Sequence, residues 1–398
     1  MSHNLEGSML SDSSSSRRKK RGWVDDMMEA ENTPGDVIHQ WSPTHKQLCL
    51  HPREKENDAV PFVLSRRSRR RKETSSGLSW DHLPDELILR ILFCLPLSNL
   101  LRTSLVCKRW RRLAFDESLW HSVDLDGVTN MAAALELLLT AGVRRLRCPR
   151  TFIQDLHPVH VVQMDLSNCN ISAETLEVML SRCSALTHLS LEGLELSDRI
   201  LHHLSQNPEM IELNMGGCAG FSPEPLGRML QSFSKLERLN ISWCEFSLDH
   251  VKAVVGNLSS SITELNLSGY RENFAQEDLE VLVERCPDIV TLDISDSVFL
   301  RTTCIPTLQQ LMNLKHLSLS RCYQIYAAAL GDVGEKFTAL RLLDAFGLIP
   351  DPRVFSKTYE IKHIAVNTRA ISMIARPTPV LTDVHSMWDY RCRLRFHY

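Results

Sequence analysis

The chain has 398 residues, of which 43% are hydrophobic and 23% charged, a balance that excludes wholesale disorder. Its 45 basic and 48 acidic side chains leave a net charge of −3, which excludes a strongly basic nucleic-acid coat, and no nucleic-acid partner is expected. No apolar run approaches the roughly 18 to 20 residues that span a bilayer, and the polar residues 1–9 carry no secretory pattern. A soluble intracellular protein without a membrane partner is expected.

Charge is unevenly placed along the chain: residues 1–72 carry a net +4 and the remainder a net −7. This first segment is poor in apolar periodicity and rich in serine and charge. It contains Ser13-Ser14-Ser15-Ser16, then Arg17-Arg18-Lys19-Lys20-Arg21, and a second basic cluster at residues 66–72. Such a composition cannot bury enough apolar surface to offset chain entropy, so residues 1–76 are expected to be a disordered tail. The basic clusters fit nuclear-import signals, or equally a solvated charge run that keeps the tail extended. Thr33-Pro34 and Ser42-Pro43 are candidate phosphorylation points.

Residues 77–122 read as a compact helical unit. Leu83-Pro84-Asp85-Glu86-Leu87 starts a helix, with proline and acids placed where a helix N-terminus favours them. Leu87, Ile88, Ile91, Leu92 and Leu95 follow at helical spacing, and Pro96 stops the run. A second helix carries Leu101, Leu105 and Val106, and Cys107-Lys108-Arg109-Trp110 leads towards Asp116-Glu117-Ser118-Leu119-Trp120. Three short helices make a core too small to stand alone, so this apolar surface needs another chain or the following domain.

Residues 123–372 form a repeat array. Val161-x-x-Met164-x-Leu166-x-x-Cys169 recurs as Leu186-x-x-Leu189-x-Leu191-x-x-Leu194 and Leu236-x-x-Leu239-x-Ile241-x-x-Cys244. It continues through Leu265, Leu292 and Leu317, with weaker copies at Leu146, Leu343 and Ile364. From Met164 to Leu343 the second apolar position advances in steps of 24 to 27 residues, the period of a leucine-rich repeat. Each copy places alternate strand side chains inside and a helix, such as residues 174–182 or 277–285, on the convex side. The expected fold is α/β: a right-handed solenoid of about ten repeats with a curved parallel sheet inside and helices outside.

Of the twelve cysteines, Cys169, Cys218, Cys244 and Cys322 recur at one turn position, and Cys183 and Cys286 recur at a helix end. A recurring position in a stack is a packing position, so these six are expected to be core thiols. No C-x-x-C occurs, which argues against a zinc ribbon or RING site. No G-x-S-x-G, Gly-rich phosphate loop or H-E-x-x-H is present either, so no enzyme, metal or cofactor is expected. The concave face appears instead as a recognition surface, broad and open, with no dry pocket able to shift the pKa of carboxylates such as Asp293. Trp243, Tyr270, Arg271, Asp296, Arg321 and Tyr323 stand just past its strands. They are the aromatic and arginine anchors a protein-binding hot spot uses, and Arg271 and Arg321 have the fork that clamps a carboxylate or phosphate. The alternative, that Trp243 and Tyr270 cap the turn, stays open at this point.

Leu83-Pro84-x-Glu86-Leu87, Val106-Cys107-Lys108-x-Trp110 and Leu119-Trp120 together resemble an F-box. Joined to the repeats, they make the chain similar to the F-box/leucine-rich-repeat family, over about residues 78–395. That resemblance implies the non-catalytic substrate receptor of an SCF (Skp–cullin–F-box) E3 ubiquitin ligase. Its F-box would dock the Skp adaptor, and through it cullin and RING subunits, using Trp80, Leu83, Pro84, Leu87, Ile91, Val106, Cys107 and Trp110. Its repeats would hold a phosphorylated Kip-type inhibitor of cyclin-dependent kinases together with a Cks accessory protein, through Trp243, Arg271, Asp296, Arg321 and Tyr323. A C-terminal tail, residues 373–398 with Trp388, would fold back over the concave face and contribute to binding. Cyclin A is a further partner that the resemblance implies, and the nucleus and cytoplasm are the expected location. A receptor for a different substrate and a nuclear repeat scaffold working without cullin are the two other readings these residues allow.

Overall fold

The computed structural model describes residues 80–126, 142–153, 158, 160–331, 333–349, 353 and 364–368. The expected disordered tail and the C-terminal segment with Trp388 lie outside the described residues. Three helices open the described chain: α1 (Asp85–Phe93), α2 (Leu97–Thr103) and α3 (Lys108–Ala114), with 3-10 turns at Trp80–His82 and Glu117–Leu119. Pro84 and Pro96 take the N-cap positions of α1 and α2, in extended conformations that a residue preceding the helix adopts. Cys107 caps α3, its Sγ accepting from the Trp110 N–H at 3.4 Å.

Eleven strands follow in one parallel sheet, in strict sequence order. They are β1 (Ser122–Asp124), β2 (Arg145–Arg147), β3 (Gln163–Asp165), β4 (His188–Ser190), β5 (Glu212–Asn214), β6 (Arg238–Asn240), β7 (Glu264–Asn266), β8 (Thr291–Asp293), β9 (His316–Ser318), β10 (Leu342–Asp344) and β11 (Ala365–Asn367). Between them run α4 (Ala173–Leu180), α5 (Asp198–Leu204), α6 (Pro223–Ser232), α7 (Leu248–Asn257), α8 (Gln276–Arg285), α9 (Cys304–Leu308) and α10 (Val333–Lys336). Such right-ordered parallel strands with helical crossovers form the solenoid that the repeat period predicts. Among the described residues no helix is long and apolar enough to cross a membrane.

The central residue of each strand from β2 to β10 is buried while its two neighbours are half-buried. Register aligns these centres one above another, so Leu213 pairs with Leu239 and Leu239 with Leu265. The array differs from the sequence reading at both ends. A strand centred on Val123 precedes Leu146; its short apolar stretch merges with Leu119-Trp120 in the sequence and so hides the repeat. At the other end Val366, not Ile364, pairs with Leu343. The alternation of Ile364 and Val366 permits either choice, and only the neighbouring strand sets the register.

The helical unit and the array share one core. Ile88, Leu92, Leu97, Leu100, Leu113 and Trp120 join Val123 and Leu125 in a single apolar cluster. Trp120 is the joint: it is buried, its Nε1 donates to the Ala114 carbonyl at 2.8 Å, and its ring stacks on Phe115.

The six recurring cysteines occupy the core as the period predicts. Cys169, Cys218 and Cys244 donate through Sγ to the carbonyls of Cys148 (2.9 Å), Leu191 (3.1 Å) and Met215 (3.1 Å) on the preceding coil. Burial pushes the thiols of Cys183, Cys244 and Cys322 up to about 12 and that of Cys286 to about 11. Tyr270 stands at the same turn position as Cys169, Cys218, Cys244 and Cys322. It is buried, stacks on Phe246 at 4.9 Å, and its hydroxyl donates to the Ile241 carbonyl. Tyr270 is therefore a core residue and not a surface anchor.

A nearest-neighbour stack makes a testable statement. Leu239→Ala, with Leu213 and Leu265 on either side, should lower the unfolding free energy by about 2–5 kcal/mol. Val366→Ala, at the half-buried end of the described sheet, should cost no more than about 1 kcal/mol. Equal losses in urea titrations would contradict the stack.

Candidate functional site

Two surfaces of the molecule carry groups that its own core does not need. The first is the outer face of the helical unit. α1 is apolar on both sides: Ile88 and Leu92 point into the core, whereas Leu87 and Ile91 point out. Trp80, Leu87, Ile91 and Val106 are 41–64% exposed, and Pro84 and Cys107 are exposed beside them. Leu83 and Trp110 are partly buried; Trp80 meets Trp110 edge-to-face with ring centroids 5.3 Å apart. The structure thus places all eight residues of the expected adaptor-docking set on this small unit, six of them open to solvent. Leu105 and Val106, expected on the second helix, instead lie in the turn after α2 ends at Thr103, and both are exposed, as is Phe93 at the end of α1.

The second surface is the turn that follows each strand. Three residues past the strand end, the backbone enters the left-handed region on successive coils: Arg150, Asn168, Gly193, Gly217, Trp243, Gly269, Asp296, Arg321 and Gly347. This conformation lets the turn N–H donate to the next coil, as Trp243 does to the Ser268 carbonyl (2.9 Å), Asp296 to Ser320 (2.9 Å) and Arg321 to Phe346 (2.8 Å). Glycine meets the requirement without cost, whereas a side chain there is disfavoured by roughly 1–2 kcal/mol. Trp243, Asp296 and Arg321, three of the expected anchors, occupy this position with φ of 60°, 62° and 61°. Non-glycine residues held in a disfavoured backbone region mark functional surfaces more often than ordinary turns.

The anchors lie on adjacent coils. Trp243 lies flat on Gly269, where a Cβ would meet the indole at 2.5 Å. Its Nε1 and the Ser268 hydroxyl are buried without a hydrogen-bond partner among the described residues. Asp296 holds Arg321 in a fork: Arg321 Nε donates to Oδ1 at 2.6 Å and Nη2 donates to Oδ2. This bonding holds the Arg321 pKa above its ordinary value. The Arg321 fork is therefore already occupied, contrary to the expectation that it is open to a carboxylate or phosphate. Arg271, also at positive φ, is exposed and makes no ion pair among the described residues. Tyr323 is exposed and leans on the glycine turn at Gly347. Trp388 falls outside the described residues.

Along the concave face, many polar strand ends serve the turn itself. Asn214, Asn240, Asn266 and Asp293 each accept, through Oδ1, the N–H two residues on, at 2.9–3.1 Å. The concave face reads from the sequence as a recognition surface; the structure uses one oxygen of each of these side chains to close an Asx turn. Burial pushes the Asp293 and Asp344 carboxyls above their ordinary range, against the expectation of an open face unable to shift a pKa. Among the described residues no group of three or more His, Cys, Asp or Glu side chains is arranged to hold a metal ion.

Two family matches bear on these surfaces. The F-box-like family matches residues 80–126, and the SKP2 LRR domain family matches residues 133–395. The chain belongs to the SKP2 LRR domain family. Its F-box implies binding of the Skp1 adaptor and, through it, a cullin complex. F-box protein SKIP19 of Arabidopsis thaliana is 24% identical over 259 residues, covering 64% of this chain and 72% of that protein. F-box/LRR-repeat protein 12 of Homo sapiens is 25% identical over 230 residues, covering 47% and 71%. A solved structure of the leucine-rich repeat-containing protein LegL7 from Legionella pneumophila aligns with a TM-score of 0.38 at 19% identity, covering 55% of this chain and 80% of that one. F-box/LRR substrate adaptors are generally non-catalytic.

The buried carboxyl of Asp293 supplies a prediction. Its folded pKa is raised, so the folded chain holds the proton more tightly than the unfolded one, and stability falls as pH rises through the interval above 3.8. Asparagine can close the same Asx turn, as Asn240 and Asn266 do on neighbouring coils. Asp293→Asn should therefore raise the melting temperature at pH 7 and leave it unchanged near pH 3. A variant less stable than the parent at pH 7 would contradict this account.

Proposed function

We propose that this chain is the substrate receptor of an SCF-type E3 ubiquitin ligase and a counterpart of the S-phase kinase-associated F-box protein. The observation that carries the reading is the two-sided F-box. Its inner face is buried against the repeats, while Trp80, Leu87, Ile91 and Val106 remain open. Aliphatic and aromatic groups at that density on three short helices form the hydrophobic centre of an interface that lacks its other half.

The proposed mechanism is positional. The receptor makes no covalent bond to ubiquitin; it holds a substrate lysine near a charged conjugating enzyme and so raises its effective concentration. Under this reading the repeats bind phosphorylated cell-cycle regulators, Kip-type inhibitors of cyclin-dependent kinases, jointly with a Cks accessory protein. Support comes from the match of residues 133–395 to the SKP2 LRR domain and from the contiguity of Trp243, Asp296 and Arg321 on one ladder of strained turns. Arg271, exposed on the same edge, supplies a cation beside them. Trp388 in the C-terminal tail, cyclin A as a further partner, a role at the G1/S transition and residence in nucleus and cytoplasm complete the proposal.

Co-expression with the Skp adaptor should yield a one-to-one complex on size exclusion that Trp110→Ala abolishes. In that complex Cys107, exposed in the free chain, should resist alkylation while Cys94 is the internal control. A chain that runs alone, or a Cys107 that labels equally in both states, would overturn the adaptor reading. On the repeat surface, Arg321→Ala should weaken Cks binding about tenfold or more and leave adaptor binding unchanged. Equal Cks affinity in parent and variant would overturn that assignment.

A further inference from the structure

In Leu83-Pro84-x-Glu86-Leu87 and Val106-Cys107-Lys108-x-Trp110 the two unspecified positions hold Asp85 and Arg109, and the fold brings them together. Arg109 Nε donates to Asp85 Oδ1 at 2.8 Å, and Arg112 reaches the other carboxylate oxygen of Asp85 from the next turn of α3. Arg109 does more than pair. Its Nη1 donates to the carbonyls of Trp80 (3.1 Å) and Asp81 (3.2 Å), and its Nη2 to that of Leu83. One guanidinium thus gathers three carbonyls of the segment entering α1 and the acid of its first turn. Its five rigid N–H donors are the only side-chain set that can serve so many acceptors at once.

The segment held in this way carries the leading part of the adaptor face. Trp80 sits in a 3-10 turn with no buried residue, so core packing does not anchor it. Among the described residues Trp80 is held by the edge-to-face contact with Trp110 at 5.3 Å and by hydrogen bonds to its carbonyl from Arg109 and from the Leu83 N–H (3.3 Å), and Arg109 and Trp110 are neighbours on α3. Leu83 and Pro84, next along the chain, follow the same clamp. We infer that Arg109 is the positioning residue of the adaptor-binding surface, holding Trp80, Leu83 and Pro84 against α3 in the arrangement the adaptor meets. The inference rests on the adaptor-docking reading of the F-box. Because the Arg109 and Asp85 side chains are only partly exposed, moderate salt will weaken the pair without abolishing the carbonyl bonds.

The test uses the full chain with Arg109→Ala, Arg109→Lys, Trp80→Phe and Trp110→Ala, each titrated with purified Skp adaptor and examined by circular dichroism. Arg109→Ala should bind at least about tenfold more weakly, since several charge-assisted bonds are lost together. Its near-ultraviolet spectrum should lose the Trp80–Trp110 coupling signal, matching Trp80→Phe, while the far-ultraviolet spectrum of the solenoid is unchanged. Loss of fold stability alone would not remove that coupling from a chain whose far-ultraviolet spectrum is intact. Lysine keeps the charge but not the fork, so Arg109→Lys should fall between parent and Arg109→Ala; it also decides the matter if Arg109→Ala does not fold. Parent-like affinity and coupling in Arg109→Lys, or in a folded Arg109→Ala, would overturn the inference while Trp110→Ala still fails to bind. If Trp110→Ala also binds like the parent, the adaptor reading itself falls.

Discussion

A three-residue strand has one side chain to bury and no means of covering it. Leu239 is shielded because Leu213 stands on one side of it and Leu265 on the other, in register. Every other property of the array follows from that dependence. The sheet is parallel because each coil must return to the same side, and its strands are short because only the central residue needs a partner above and below. The F-box obeys the same rule, since its inner side chains reach the first coil through Trp120 and Val123 and share its core. A unit too small to stand alone is stable here as the cap of a stack.

The turn after each strand is where packing sets the backbone beneath the proposed recognition surface. Its left-handed backbone aims an N–H at the next coil, and the ladder of hydrogen bonds this produces is continuous from Arg150 to Arg321. Such a ladder over-determines the conformation, so the array tolerates tryptophan, aspartate and arginine where glycine would be easier. The side chains at these turns are thereby held on a rigid edge with little rotational freedom in the backbone beneath them. Trp243 on Gly269 and Arg321 on Asp296 show what that edge gains: large groups fixed by neighbours on the adjacent coil. Pre-organised aromatic and arginine groups on a rigid scaffold are favourable for binding because less entropy is lost when a partner arrives.

On the F-box the division of labour is different. The helices are too short to hide both faces, and α1 leaves Leu87 and Ile91 outside as the counterparts of Ile88 and Leu92 inside. Arg109 and Asp85 lie at the edge between the two faces, where water, charge and main-chain carbonyls are all within reach. The polar clamp orders an apolar surface that the core does not hold.

Periodicity made the solenoid legible, because a step of 24 to 27 residues has no other economical fold, and the recurrence of Cys218 and Cys244 at one offset marked them as core thiols. The F-box was legible from Leu83-Pro84 and Trp110, and the place of Trp243, Asp296 and Arg321 in the turns from their position just past the strands. What the residues alone left open depended on neighbours distant in sequence. The strand centred on Val123 and the choice of Val366 over Ile364 were decided by the adjacent strand, since alternation by itself permits two registers. Tyr270 reads from the sequence as an anchor or a turn cap, and the bond from its hydroxyl to the Ile241 carbonyl of the preceding coil makes it a core residue. The burial that lifts the Asp293 carboxyl, the occupancy of the Arg321 fork and the clamp from Arg109 onto Asp85, 24 residues earlier, are likewise tertiary. Spacing along a chain determines which side chains share a face; only the assembled stack determines which of them have already found a partner.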